Sequence, residues 1–149
     1  MSYDEKFMKK AMALAKKAYE ADEVPVGAVI VKDGKILASA FNKRESGFDA
    51  TAHAEILAIR KACKKIKDFR LIACEMYVTL EPCVMCTGAI LNSRIETVYF
   101  GAYISNGSIS TEELSKKAEL NHKTCFLGGY LEKENSELVT TYFKEKRKK

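Results

Sequence analysis

The chain has 149 residues, 47% of them hydrophobic and 30% charged, with a formal net charge of +5. That length and balance fit one domain, residues 1–149, able to bury a core, and exclude a disordered or fibrous chain. No apolar run is long enough for a membrane span, and the charged, amphipathic N-terminus lacks the apolar centre of a signal peptide. Five cysteines, an odd number, argue against a disulfide framework and for a reducing, cytoplasmic setting.

In chain order, Ser2 and Glu5 read as a capping box. The helix behind it carries Phe7, Ala11, Leu14, Ala15 and Ala18 on one face, over about five turns. Residues 26–31 form a β-branched strand, Asp33-Gly34 a two-residue turn, and residues 35–41 the returning strand. A polar loop over 42–50 leads to a helix capped by Thr51 and ending near Lys65. Residues 76–80 form a third strand, and Pro82 opens a helix that stops near Ser93. A fourth strand spans 97–100, and a short helix opens at Ser110 and Glu113. Residues 125–131 form a fifth strand interrupted by Gly128-Gly129, and a closing helix spans 133–146. This alternation predicts an α/β sandwich, and the opening hairpin makes its five-stranded sheet mixed. No linker, internal repeat or low-complexity segment divides it.

Two short clusters carry the chemistry: His53-Ala54-Glu55, and Pro82-Cys83-Val84-Met85-Cys86. A catalytic zinc takes three protein ligands and keeps a fourth position open for water. His53, Cys83 and Cys86 supply three such ligands, and Glu55 is left to shuttle protons. H-x-E followed by P-C-x-x-C is the established signature of zinc-dependent nucleobase deaminases. Cys83 and Cys86 share one face of a first helical turn. Two helix N-termini then converge on the metal, their positive ends favouring thiolate and hydroxide. The competing reading is a closed structural zinc site, whose fourth ligand would be Cys63, Cys74, Cys125 or His122. None has partner-like spacing, and the three cysteines read as small core residues. A redox Cys-x-x-C pair leaves His53 and Glu55 without a role.

Positive charge gathers in residues 144–149, with five basic residues and one acidic, and at Lys61, Lys64, Lys65, Lys67 and Arg70. Each run alone reads as a solvated face. Beside a base-modifying site, a basic tail favours a polyanionic substrate.

From about Met8 to its end the chain resembles the bacterial tRNA-specific adenosine deaminases of the cytidine-deaminase-like superfamily. The residues that carry this are Glu23-Val24-Pro25-Val26-Gly27-Ala28-Val29, Asn42, the Asp49 to Glu55 segment, the Val78 to Ala89 segment, Ser93-Arg94-Ile95, Phe100-Gly101-Ala102, Asn121-His122 and the Tyr142 to Arg147 ending. The resemblance implies a three-layer α/β/α sandwich with one zinc per chain. It implies hydrolytic deamination of adenosine to inosine at the wobble position of a tRNA anticodon, by a homodimer that contacts the anticodon stem–loop. Carried over, His53, Cys83 and Cys86 are ligands, Glu55 is the proton shuttle, and Asn42 and Asn121 contact substrate. Asn42 also fits a turn asparagine at a strand end, and His122 a structural histidine. The chain departs from the family at Ala50, where proline is usual, and over 103–108, which lacks a usual Asp and Lys. Two alternatives stay open: a deaminase of a free nucleobase or nucleoside (guanine, cytosine or cytidine), and a non-catalytic RNA-binding subunit, against which Glu55 argues.

Overall fold

The structure is a computed structural model that describes residues 2–104, 111–117 and 122–147. Helix α1 (Glu5–Glu20) precedes β1 (Gly27–Lys32) and β2 (Lys35–Phe41), and α2 (Ala54–Ile66) precedes β3 (Cys74–Leu80). Helix α3 (Val84–Asn92), β4 (Thr97–Ala102), α4 (Thr111–Lys117), β5 (Cys125–Leu127) and α5 (Glu132–Arg147) follow. The sheet order is β2-β1-β3-β4-β5. Strand β1 runs antiparallel to both β2 and β3, whereas β3, β4 and β5 are parallel. The sheet is therefore mixed and five-stranded, as the hairpin and the crossover helices require.

Strand alternation sorts the core into two layers. In register across the sheet, Ile30, Met76 and Val98 face one side and Val29, Tyr77 and Tyr99 the other. The first set packs on Ala54, Ala58 and Ala62 of α2 and Ile90 of α3. The second packs on Phe7, Met8, Ala11 and Leu14 of α1, with Tyr130 and Leu131 at its margin. The small alanine face of α2 lets that helix lie close to the strands. On the opposite face α1 lies close at Gly27: a Cβ there would overlap the Ala11 carbonyl and meet the Ala15 nitrogen at 2.8 Å. Asp33 and Gly34, both at positive φ, form the tight hairpin turn.

Several boundaries differ from the sequence reading. Asp4, not Ser2, caps α1, its carboxylate accepting from the Lys6 N–H at 3.1 Å. Thr51 caps nothing: its N–H and hydroxyl both donate to Asp49 Oδ1, and the N-cap of α2 is His53. Pro82 lies one residue before the cap of α3, which is Cys83. Strand β5 ends at Leu127, before the two glycines. The tail is helical through Arg147. Cys74 is buried as expected, but Cys63 is half-buried and Cys125 is exposed.

Candidate metal centre and pocket

His53 and Cys83 are both N-cap residues in extended conformation, and neither side chain caps its own helix. The imidazole and thiol are thus free to turn toward each other at two helix N-termini, where partial positive charge favours anionic sulfur. Cys86 is the third residue of α3 and fully buried. His53 Nδ1 lies 3.7 Å from Cys83 Sγ and 3.6 Å from Cys86 Sγ. Three ligand atoms within 4.8 Å of one another form the one such His/Cys/Asp/Glu cluster among the described residues.

Those distances test the metal directly. Tetrahedral zinc, with Zn–S about 2.3 Å and Zn–N about 2.05 Å, separates a nitrogen from a sulfur ligand by about 3.6 Å. The donor set fits in its charges too. The Cys86 thiol and His53 hold Cys83 down to about 4 against its own burial. The resulting thiolate, together with burial, pushes Cys86 far up. A dication at the centre would favour the thiolate form of both sulfurs.

Glu55 follows His53 by two residues, in the first turn of α2, and is 4% exposed. Burial pushes its carboxyl up to about 7, the Cys83 thiolate adds to the rise, and His53 opposes it. It is not one of the three clustered ligand atoms. His53, Glu55 and Cys83 open onto a cavity of about 100 Å³ whose other walls include Asn42, Val24, Val26, Leu80 and Ile104. Asn42, expected as a substrate contact, is buried there directly after β2. Asn121 lies outside the described residues, as do positions 105–108 of the atypical loop. His122 places its Nε2 2.9 Å from the Ile95 carbonyl oxygen, a contact that suits a structural histidine. None of the candidate fourth ligands (Cys63, Cys74, Cys125, His122) joins the cluster, so it stays open toward the pocket.

The sequence reading gave no role to two buried acids, Glu81 and Glu23. Glu81, on the pocket wall, accepts from the N–H of Ile104 and from both the N–H and hydroxyl of Thr111. It ties down the chain on either side of residues 105–110. Glu23, 1% exposed, accepts from the N–H of Glu45 at 3.1 Å and of Ser46 at 2.7 Å, anchoring the loop after Asn42. Their partners stand 22 to 30 residues away, so no local spacing announces them. Position next to Pro82-Cys83 was the one available hint for Glu81.

The basic runs also resolve. Lys61 and Lys65 donate to the Ser39 and Leu37 carbonyls on the edge strand β2, and Arg70 pairs with Asp68. Lys61 and Lys65 thus shield a sheet edge. In α5, Lys146 pairs with Asp22 at 3.1 Å and Glu45 at 3.9 Å, so part of the tail charge is already matched.

Two thiols and an imidazole at two helix ends, open to a pocket that holds an unligated acid, are the arrangement of a zinc-dependent deaminase. Residues 1–102 match the family model described as the cytidine and deoxycytidylate deaminase zinc-binding region. A tRNA-specific adenosine deaminase of Bacillus subtilis is 45% identical over 100% of this chain and 94% of its own length. A solved structure from work on A-to-I editing by tRNA A34 deaminases at the wobble position superposes with a TM-score of 0.86. Its identity is 39%, and the match covers 91% of this chain and 99% of that one. The guanine deaminase of Bacillus subtilis gives 0.65 at 44% identity, over 68% of this chain and 66% of its own. The chain belongs to the zinc-binding deaminase family and, within it, to the tRNA-specific adenosine deaminases. The cofactor of this family is zinc, and the donor set here suits it. Among the described residues, no helix is long and apolar enough to cross a membrane.

Proposed function

We propose that the protein, a single domain over residues 1–149, hydrolytically deaminates adenosine to inosine at the wobble position of a tRNA anticodon. The carrying observation is the full-length likeness to a tRNA-specific adenosine deaminase, joined to a complete donor set and shuttle in one pocket. His53, Cys83 and Cys86 would hold one zinc per chain. Zinc, when bound, supplies the Lewis acidity that makes water a nucleophile at neutral pH.

The remaining steps belong to this chain's residues. Asn42, buried beside the cluster, hydrogen-bonds the flipped adenine or its sugar and fixes the ring against the apolar walls. Glu55 accepts the proton that the attacking water gives up and delivers it to the ring nitrogen. A second transfer through the same carboxyl protonates the amino group, which leaves as ammonia. A buried carboxyl raised to about 7 suits both directions of transfer. Asn121 is the second substrate contact in this reading. The enzyme acts as a homodimer in the cytoplasm, on the anticodon stem–loop, and α5 contributes phosphate contacts.

The free-base alternative has its own support in the likeness to a guanine deaminase. One assay separates them: ammonia release from an anticodon stem–loop with adenosine at the wobble position, beside free adenosine, cytidine, cytosine and guanine. Turnover of the stem–loop alone is expected. Turnover of a free base with none of the RNA would overturn the proposal. Removing residues 144–149 should raise KM for the RNA and flatten its salt dependence, because fewer counterions are released.

A further inference from the structure

A second cavity, of about 560 Å³, lies between the loop after Asn42 and the end of α5. It shares Val24, Asn42 and Arg44 with the catalytic pocket, so the two lie side by side. On its rim stands Phe48, 96% exposed, with Phe143 of α5 at 42%. Scattered apolar residues on a surface need no explanation. Phe48 differs because the chain holds it there at the cost of backbone strain. Its φ is +50°, in the left-handed region where glycine or asparagine sits more easily than a large aromatic. The exposed ring returns nothing to the core for that strain.

The loop that presents it is rigidly built. Gly47 N–H donates to the Lys43 carbonyl, Phe48 N–H to that of Glu45 and Asp49 N–H to that of Arg44. Buried Glu23 holds the N–H groups of Glu45 and Ser46 from beneath. The charges nearby are mixed: Arg44 and Lys146 face Glu45 and Asp49, and Lys146 is already paired with Asp22 and Glu45. A phosphate finds no clear cationic seat in that groove. A flat, uncharged ring instead meets the exposed face of Phe48.

We infer that Phe48 is a stacking platform for a base directly adjacent to the target adenine. This rests on the RNA reading above and adds to it a residue that reads the substrate outside the catalytic pocket. Extruding one base for chemistry unstacks its neighbours, and enzymes of this class draw selectivity from those flanking nucleotides. An aromatic face fixed by a preorganised loop recovers that stacking with little loss of side-chain freedom.

The test uses the full-length zinc enzyme and RNA hairpins carrying the target adenosine, intact or abasic at either neighbouring position. Phe48→Ala should lower kcat/KM on the intact hairpin by about 5–150-fold, the range of base–aromatic stacking, while Phe48→Trp stays within about three-fold. On the hairpin abasic at the stacked position, the alanine loss should shrink to under about three-fold. An alanine variant within two-fold of wild type on the intact hairpin overturns the inference. So does an equal loss on all three hairpins, which would mean a loop defect rather than a stacked base. In both cases the wild type still deaminates the hairpin, so the RNA reading survives. A wild type inactive on every hairpin but active on a free base instead defeats the RNA reading, and this inference with it.

Discussion

Replacing Glu23 by glutamine tests whether an ionised, buried carboxylate holds the loop that walls the substrate groove. Glutamine keeps the size, but one terminal oxygen becomes an NH₂ group facing a backbone donor. One of the two N–H groups, of Glu45 or Ser46, then loses its acceptor, at about 1–3 kcal/mol. The surviving bond loses its charge assistance, which roughly halves it. Easier burial of a neutral amide offsets part of this, leaving a net loss of about 1.5–3 kcal/mol. For a chain of this size that lowers Tm by about 3–12 °C. Acidity gives the sharper test. Burial works to raise the Glu23 carboxyl, but the N–H and hydroxyl of Ser46, the N–H of Glu45 and nearby Arg44 outweigh it. The folded value lies below the ordinary 4.5. The stabilisation is therefore complete above 4.5 and is lost as pH falls through the depressed value. Thermal melts of wild type and Glu23→Gln, from pH 7 downward, should begin to draw together below pH 4.5 and meet below the depressed value. Curves that coincide at pH 7, or a gap that is unchanged on acidification, would refute the anchoring role.

Three further outcomes are expected. Purified protein should carry one zinc per chain by elemental analysis, and Cys83→Ala or Cys86→Ala should lose it; full activity after exhaustive chelation would sink the metal assignment. Glu55→Gln should keep its zinc and its melting temperature while single-turnover deamination falls by about 10²–10⁴-fold, the usual worth of a general acid–base group; loss of the metal instead would make Glu55 a ligand. Gly27→Ala should cost about 1–3 kcal/mol of overpacking, read as a lower denaturation midpoint, because the new methyl must displace the α1 backbone at Ala11.

The metal centre was legible because its chemistry is compressed into two short segments. His53 and Glu55 are two residues apart, Cys83 and Cys86 three, and each pair sits at a helix start that the sequence also marks. The mixed sheet was legible for a similar reason: Asp33-Gly34 is a local turn signal, and β-branched strands alternate with helical periods. Helix caps were less so, because several polar residues compete within one turn. Thr51 has the chemistry of a cap, yet its N–H and hydroxyl are both spent on Asp49, and the backbone hands the position to His53. His53 holds that position without a side-chain cap bond, which leaves its imidazole free to face Cys83 and Cys86.

What the sequence concealed is everything fixed by distant partners. Lys61 and Lys65 have the charge of a nucleic-acid face, but the fold sets them beside β2, where open edge carbonyls bind them first. Glu23 and Glu81 look like ordinary surface acids until the chain brings them N–H donors that no spacing rule links to them. Both sit under loops and not under the zinc ligands: one beneath residues 45–46, the other on either side of residues 105–110. The division of labour follows. Chemistry common to all zinc deaminases is written in contiguous motifs on helix ends, whereas the walls that choose a substrate are held by single buried carboxylates reaching across the fold. Neutralising those carboxylates should therefore change which substrate is turned over before it changes whether zinc is bound.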